Sequence, residues 1–390
     1  MEKNNKSLTV AYSFVQASFW MDLCIALSFA SVYLLGLGDS NSALGLIIAA
    51  GNLIGAMIGP GLSSMIDRKE DVTAARVMPY VLAARFVMLA VLIFFPGSKV
   101  MTSVGFTLYI AFSMSVNSLN LKLYVDAAHN GLIVDYGKAR GMGSLAYVII
   151  SSLLGFLITA TSIRVIPWAG IAVGIIQIVS FAAFARGASS GSKYNAGEQK
   201  TGDSLALFAR KNKRFCVLLA GTVLIFFSHN TVCNFLINVT NNIGGGTDEM
   251  GLLNGFMAAV EIPVMLTFTR FFGKRDAGKL LRFAFLMFTL KAAAIAAAGS
   301  MPAMAAAFVL QAPSFAIYTA AIVPYIENTI PHEDSAKAQS LAFTMTTFSS
   351  VLAGTVSGML YDNISVTATL WIAAIVCAAG TIISISGTER

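Results

Sequence analysis

Ionisable side chains stand inside several long apolar stretches of this chain, where burial is costly for any charged group. Asp22 and Glu261 are carboxylates in such stretches, and Arg140, His229 and Lys291 are bases in them. In hydrocarbon, groups of this kind face a cavity, pair with one another or exchange protons. These five residues are the first candidates for chemistry, and the apolar stretches must position them.

The two carboxylates each allow two interpretations. Asp22 lies roughly 18 Å along its apolar stretch at 1.5 Å per residue, near the centre of a ~30 Å hydrocarbon layer. It is either a proton-coupling group or a structural partner for Arg85. Glu261 stands beside Pro263, which frees a backbone carbonyl in a helix, and desolvation there favours exchange of a proton. Its alternative role is a structural hydrogen bond.

Arg140 stands where a charged segment meets a membrane-length apolar helix that is rich in small residues. It is either a snorkelling anchor at the membrane surface or a buried partner for a carboxylate or a substrate. If it faces a cavity, Trp20 is a second candidate substrate contact.

His229, Asn230 and Asn234 fall on one face of a later helix and are further candidate substrate contacts. A lone histidine is more often a packing residue, and that alternative stays open here. Gln311 and Tyr318, on a helix nearer the end of the chain, are expected to serve packing.

The same reasoning assigns roles to Lys291 and to two charged residues at a helix end, Asp67 and Arg68. Lys291 has no route along which to snorkel, so we expect it to pair with Glu261 or Glu327. Asp67 and Arg68 end a helix and are either contacts of a cytoplasmic gate or plain solvated charges.

Composition sets the class of protein. The 390 residues are 56% hydrophobic and 12% charged, which indicates a membrane protein that crosses the bilayer many times. The four cysteines lie in apolar runs without metal-ligand spacing, so neither a metal nor a disulfide framework is expected. We assign the net charge of +7 to membrane orientation rather than to nucleic acid. No phosphate-binding GxxxxGK[ST] motif is present, and no cofactor is expected.

The apolar runs predict an all-α membrane protein with twelve transmembrane helices. Their approximate bounds are 10–35, 42–65, 74–95, 101–125, 139–159, 165–185, 215–239, 249–271, 280–297, 303–326, 338–360 and 366–386. A six-helix half (1–186), a polar basic linker (187–214) and a second six-helix half (215–390) follow from this pattern.

Positive residues concentrate in alternate loops, which predicts that both termini are cytoplasmic and that the chain lies in the cytoplasmic membrane. Ser144-Leu-Ala-Tyr147 recurs as Ser340-Leu-Ala-Phe343, each near the start of the fifth helix of its half. Parallel halves of this kind form a known transporter architecture with the site between them.

Several motifs resemble the major facilitator superfamily, and within it the lactose-permease-like and oligosaccharide/proton symporter branch. The matching segments are Phe19-Trp-Met21, Gly45 to Arg68, Tyr136-Gly-Lys-Ala-Arg140-x-x-Gly143-Ser, Glu261-Ile-Pro-Val-Met265, Pro324-Tyr-Ile-Glu327 and Gln339-Ser-Leu. The chain departs from the lactose permease pattern at Lys122 and His229, where that pattern has carboxylates. The Glu-Arg pair that binds sugar in that branch is thus represented only by Arg140.

The residues and the resemblance together predict a monomeric secondary transporter that works by alternating access. We expect proton-coupled symport of a sugar, oligosaccharide or nucleoside, with Glu261 and Asp22 as proton-coupling groups. A proton-driven exporter of drugs or amphiphilic metabolites is the alternative. A membrane enzyme would need a clustered nucleophile, base or metal set, which the sequence lacks.

Overall fold

The computed structural model describes residues 2–68, 72–129, 131–188, 205–271, 273 and 275–389, and in these ranges its regular secondary structure is entirely helical. Twelve helical spans follow one another in them. In chain order they are α1 (Glu2–Leu23, Cys24–Ser28 and Ala30–Gly36), α2 (Asn41–Arg68), α3 (Ala74–Phe94), α4 (Lys99–His129), α5 (Tyr136–Ala160), α6 (Val165–Ala188), α7 (Lys213–Asn234 and Leu236–Asn242), α8 (Thr247–Phe271), α9 (Ala277–Ala297), α10 (Met301–Val309, Ala312–Ala316 and Ile317–Thr329), α11 (His332–Asn363) and α12 (Val366–Gly387).

Within these ranges, eleven spans are long and apolar enough to cross a membrane. The twelfth, α11, has 32 residues but begins with charged residues and is rich in Ser and Thr. It packs against α2 and α7, so much of its polar surface faces protein rather than lipid. The predicted all-α class with twelve spans in two halves of six is confirmed.

Three spans that the sequence predicted as continuous are interrupted. A π-helical turn, Cys24–Ser28, divides α1, and α7 breaks at Phe235. In α10 a second π-helical turn, Ala312–Ala316, contains Pro313. Proline has no N–H to donate and its ring clashes with the preceding turn, which accounts for the interruption there. Turns of this kind often lie at functional sites.

The two halves are built in the same way. In each half the first helix packs against the fifth and sixth, so α1 contacts α5 and α6 as α7 contacts α11 and α12. Ser144 and Ser340, which begin the repeated tetrapeptide, stand at the same distance from the starts of α5 and α11. Between the halves, α2 packs on α11 and α5 packs on α8.

The halves meet closely at the membrane face opposite the chain termini, which we call the far side. An added Cβ at Gly45 would overlap the Gly354 carbonyl, and one at Gly251 would lie 2.5 Å from the Ser151 carbonyl oxygen. These glycines therefore let helix backbones of opposite halves touch.

Hydrogen bonds reinforce this contact. The Asp362 carboxylate at the end of α11 accepts bonds from the backbone N–H groups of Asn41 (2.9 Å) and Ser42 (2.8 Å) at the start of α2. It also accepts one from Asn41 Nδ2 at 3.0 Å. Asp362 thus acts as an N-terminal cap for a helix of the other half.

Toward the termini side, α2 and α11 separate. Within the described residues, the hydrogen bond between these helices that lies nearest the termini side joins Asn52 Nδ2 to Ser350 Oγ at 3.1 Å, near the middle of both helices. Ala56 and Phe343, the positions that follow on the facing surfaces, are exposed. The structure is closed on the far side and more open on the termini side.

The predicted linker, 187–214, lies mostly outside the described residues. Its first two residues belong to α6, and its last part forms a short helix, Leu205–Lys211, followed by the start of α7.

Candidate functional site

Arg140 lies in the second turn of α5, which begins at Tyr136 rather than at Ala139 as predicted. The Asp135 carboxylate caps this helix by accepting from the Lys138 N–H at 3.0 Å. Hydrogen bonds from Lys138 hold the pKa of Asp135 below its usual value, so the cap is charged at neutral pH. The helix start that positions Arg140 is therefore fixed by its own sequence.

The Arg140 side chain is directed along α5 into the membrane. Its Nη1 donates to Ser144 Oγ at 2.9 Å, one turn deeper, and its guanidinium carbon lies 3.8 Å from the centre of the Trp20 ring. Gly143 makes room for that ring, because an added Cβ would overlap Trp20 Cδ1. A snorkelling anchor would extend toward the membrane surface. This geometry favours the cavity-facing interpretation of Arg140.

In the second half, a series of hydrogen-bonded side chains lies at about the depth of the Arg140 guanidinium. Gln311 Nε2 donates to Glu261 Oε1 at 2.7 Å, and Lys291 Nζ donates to Gln311 Oε1 at 2.7 Å. Lys291 Nζ also lies 3.3 Å from His229 Nδ1. Glu261 and Lys291 are therefore linked through a neutral amide, and the expected direct pairing of the two charges is not what the structure shows.

Gln311, which was expected to serve packing, is buried and also forms hydrogen bonds to both neighbouring charged groups. It is 1% exposed and holds the two charged groups together. It stands immediately before the π-helical turn of α10, where the Ser314 hydroxyl donates to the Leu310 carbonyl at 2.6 Å. Tyr318 does pack, with its ring 5.0 Å from that of Phe226.

Charges of the two halves face each other across this level. Arg140 of the first half and Glu261 of the second lie close enough for electrostatic attraction. Both side chains are half-buried, whereas Lys291 behind them is 3% exposed. Among these three groups, two cations thus accompany one carboxylate.

Aromatic rings surround His229 and Lys291, the basic end of this hydrogen-bonded series. The His229 ring lies 5.2 Å from Phe315 and 5.9 Å from Phe226 between ring centres, and Lys291 Nζ lies 4.7 Å above Phe288. A cavity of about 10 Å³ beside them approaches the size needed for one water molecule. His229 and Lys291 therefore stand in mainly aromatic surroundings.

Asp22 belongs to a separate cluster inside the first half. Arg85 Nη1 donates to Asp22 Oδ2 at 2.8 Å and to Gln177 Oε1 at 2.6 Å, and the Tyr109 hydroxyl donates to Asp22 Oδ1 at 3.0 Å. The ion pair is fully buried. This geometry favours the partner role of Asp22 over the proton-coupling role.

The other predicted residues are spread out. Asn230 is half-buried, and Asn234 is 6% exposed with an amide nitrogen that has no hydrogen-bond partner in the described part of the chain. Glu327 is exposed near the end of α10 and does not pair with buried Lys291. Arg68 is exposed, and the Asp67 side chain lies outside the described part of the structure.

A polar cluster on the far side of the site was missed by sequence reasoning. The Tyr147 hydroxyl lies 2.6 Å from Ser28 Oγ, and Asn254 Nδ2 donates to Tyr147 (3.2 Å) and to Ser151 (2.9 Å). These bonds join α5 to α8 and so help close the far side. The only sequence signal was the placement of Tyr147 in the repeated tetrapeptide.

Two parallel six-helix halves with ionisable groups between them define a secondary transporter fold. The chain belongs to the MFS_1 like family, whose model matches residues 29–373. The predicted membership of the major facilitator superfamily is confirmed. Its relatives are transporters, not enzymes.

Two curated relatives are similar in sequence. A "Putative sugar efflux transporter" of Deinococcus radiodurans is 32% identical over 144 residues, which is 36% of this chain and 36% of that protein. The match therefore spans only about a third of that relative's length. A "Probable 3-phenylpropionic acid transporter" of Escherichia coli K12 is 25% identical over 320 residues, 79% of each chain.

Solved structures agree on the fold. A mutant of the nucleoside transporter NupG superposes with a TM-score of 0.80 at 13% identity, covering 99% of this chain and 100% of that one. An auto inhibited POT family peptide transporter gives 0.73 at 9% identity, covering 97% and 96%. At these identities the likeness concerns the fold alone.

Proposed function

We propose that this chain moves a small organic solute together with a proton, by alternating access to the site between its halves. The observation that carries this proposal is the position of Glu261. Its direct hydrogen-bond partner is the neutral Gln311, and it attracts Arg140 from the opposite half. A proton can therefore bind Glu261 without breaking a direct ion pair.

Charge balance couples the proton to the solute. While Glu261 is ionised, it attracts Arg140 directly and Lys291 through Gln311. Protonation removes that negative charge, and the two cations then favour a negative group on the solute. Proton and solute each improve the site for the other, which is the requirement for symport.

The charges also bear on the kind of solute. The sequence predicted a sugar, oligosaccharide or nucleoside, whereas two cations with one carboxylate favour an organic acid. The partly exposed rings of Trp20, beside Arg140, and Phe315, beside His229, favour a solute with an apolar or aromatic body. The relative described as a phenylpropionic acid transporter is matched over most of its length, which supports this choice.

Coupling is tested in proteoliposomes with an imposed pH gradient. Glu261→Gln resembles the protonated state permanently, so it should lose concentrative uptake but keep exchange between equal pools of solute. Glu327→Gln, which changes an exposed carboxylate at the end of α10, is the matched control and should behave as wild type. Concentrative uptake by Glu261→Gln would place the proton site elsewhere.

Solute class is tested with matched pairs. Aryl carboxylic acids should compete for uptake, while their carboxamides, which have the same body without the charge, should not. Equal competition by acid and amide would refute the charge argument and return the choice to sugars and nucleosides. Reversing the imposed gradient in the same vesicles distinguishes uptake from export, including export of amphiphilic drugs.

We further propose that the termini side is the cytoplasmic side of the cytoplasmic membrane. The basic residues of alternate loops support this orientation. A reporter at the C-terminus should score cytoplasmic, and one inserted at 244–247 should score external. The opposite pattern would invert the orientation.

A further inference from the structure

A second cavity lies within the second half, apart from the central site. It has a volume of about 720 Å³ and opens between α8, α9 and α10 on the termini side. Its apolar walls are formed by Val264, Leu280, Phe283, Ala312, Pro313 and Ile317. Phe283 is 44% exposed, so the cavity is accessible from the membrane.

The entrance of this cavity is polar and mainly basic. Arg275, Asp276 and Lys279 line it where α9 begins. The Asp276 carboxylate caps the helix, accepting from the Lys279 N–H at 3.1 Å. The open end of the apolar groove thus carries two cations and one carboxylate, with a net positive charge.

The groove runs from the membrane surface toward the midplane. Its basic entrance lies at the start of α9, whereas Ala312 and Pro313 belong to the π-helical turn near the middle of α10. At 1.5 Å per residue along α10, that turn is roughly 20 Å from the termini-side end. A ligand that fits must have an anionic head at the surface and an apolar chain that points inward.

We propose that this groove binds an anionic phospholipid from the leaflet on the termini side. The phosphate group contacts Arg275 and Lys279, and one acyl chain lies along Phe283 and Ile317. Basic pockets between transmembrane helices bind anionic headgroups in this way. A neutral lipid fills the apolar part but lacks the attraction at the entrance.

The bound chain would end against the turn that positions Gln311. Because Gln311 links Glu261 to Lys291 and directly precedes Ala312, occupancy of the groove supports the geometry of the central site. The groove is therefore placed to make transport sensitive to anionic lipid. The binding claim itself does not depend on what is transported.

The test uses tryptophan quenching by brominated lipid. In the full chain with Trp168 and Trp371 changed to Phe, Phe283→Trp is reconstituted in phosphatidylcholine vesicles. A small fraction of brominated phosphatidylglycerol should quench it more than the same fraction of brominated phosphatidylcholine. Ile382→Trp, a membrane-facing position at similar depth on α12, is the matched control and should show no such preference.

Removing the cations completes the test. Arg275→Gln with Lys279→Gln should abolish the preference at Phe283→Trp, with a loss of roughly fivefold in lipid affinity for each cation. The amount of phosphatidylglycerol kept by the purified wild-type and Gln variants gives a second measurement without the reporter. Equal quenching by both lipids, or a preference that survives the Gln changes, would overturn the proposal.

Discussion

Removal of the Asp362 carboxylate should open the far side. Asp362→Ala deletes all three hydrogen bonds that join the end of α11 to Asn41 and Ser42 at the start of α2. Loss of a helix cap costs about 0.5–2 kcal/mol. Because these bonds are exposed to solvent, we take about 1–2 kcal/mol for the set, which changes the ratio of closed to open molecules about 5- to 30-fold.

The assay is a distance measurement between fluorescent labels at Gly97 and Gly299. Both lie in far-side loops, one in each half, and neither has an atom near the position of an added side chain. Asp362→Ala should shift the distribution toward longer distances. Asn363→Ala is the matched control, because the hydrogen bond of the Asn363 side chain in the described structure stays within α11, to the Met359 carbonyl.

An unchanged distribution in Asp362→Ala would show that these bonds do not hold the far side closed. A shift of equal size in Asn363→Ala would attribute the effect to a frayed α11 instead. Only a shift confined to Asp362→Ala supports the reasoning.

Three other outcomes follow from the buried contacts. Arg140→Lys should abolish uptake with normal expression, since an ammonium cannot both stack and donate as a planar guanidinium does; near wild-type uptake would restore the anchor interpretation. Asp22→Asn should lower the free energy of unfolding by about 3–5 kcal/mol, seen as a lower melting temperature, because Arg85 is left charged and buried. Changing Arg85 as well should recover part of this loss. Gly45→Ala should prevent far-side closure in the distance assay, whereas Gly61→Ala, with no atom within 4 Å, should not.

Hydropathy alone predicted the number and order of the spans, because each must bury its backbone hydrogen bonds within a hydrocarbon layer. Helix α11 shows the limit of that signal. Its Ser and Thr residues donate to carbonyls of the preceding turn, as Thr344 does to Ser340 at 2.8 Å, so a less apolar helix can still lie between its neighbours.

The candidate site was predicted less completely than the fold. A lone Arg140 or Glu261 is conspicuous in an apolar run, since a buried charge requires an explanation. Gln311 is not conspicuous, because an amide in a helix packs as often as it bridges. Its role depends on where the π-helical turn places it relative to Glu261 and Lys291. That placement is set by the packing of α8, α9 and α10, which the sequence of one helix does not reveal.

The two contacts between the halves, α2 with α11 and α8 with α5, are formed by equivalent helices. If the second half is rotated onto the first, α2 on α11 becomes α8 on α5, as at the isologous interface of a homodimer. In a true homodimer every side chain would appear on both partners. Here the serine of the repeat is preceded four residues earlier by Arg140 in α5 but by Ala336 in α11. Joining the halves in one polypeptide thus permits a charge at this position in one half and a small apolar residue at the equivalent position in the other.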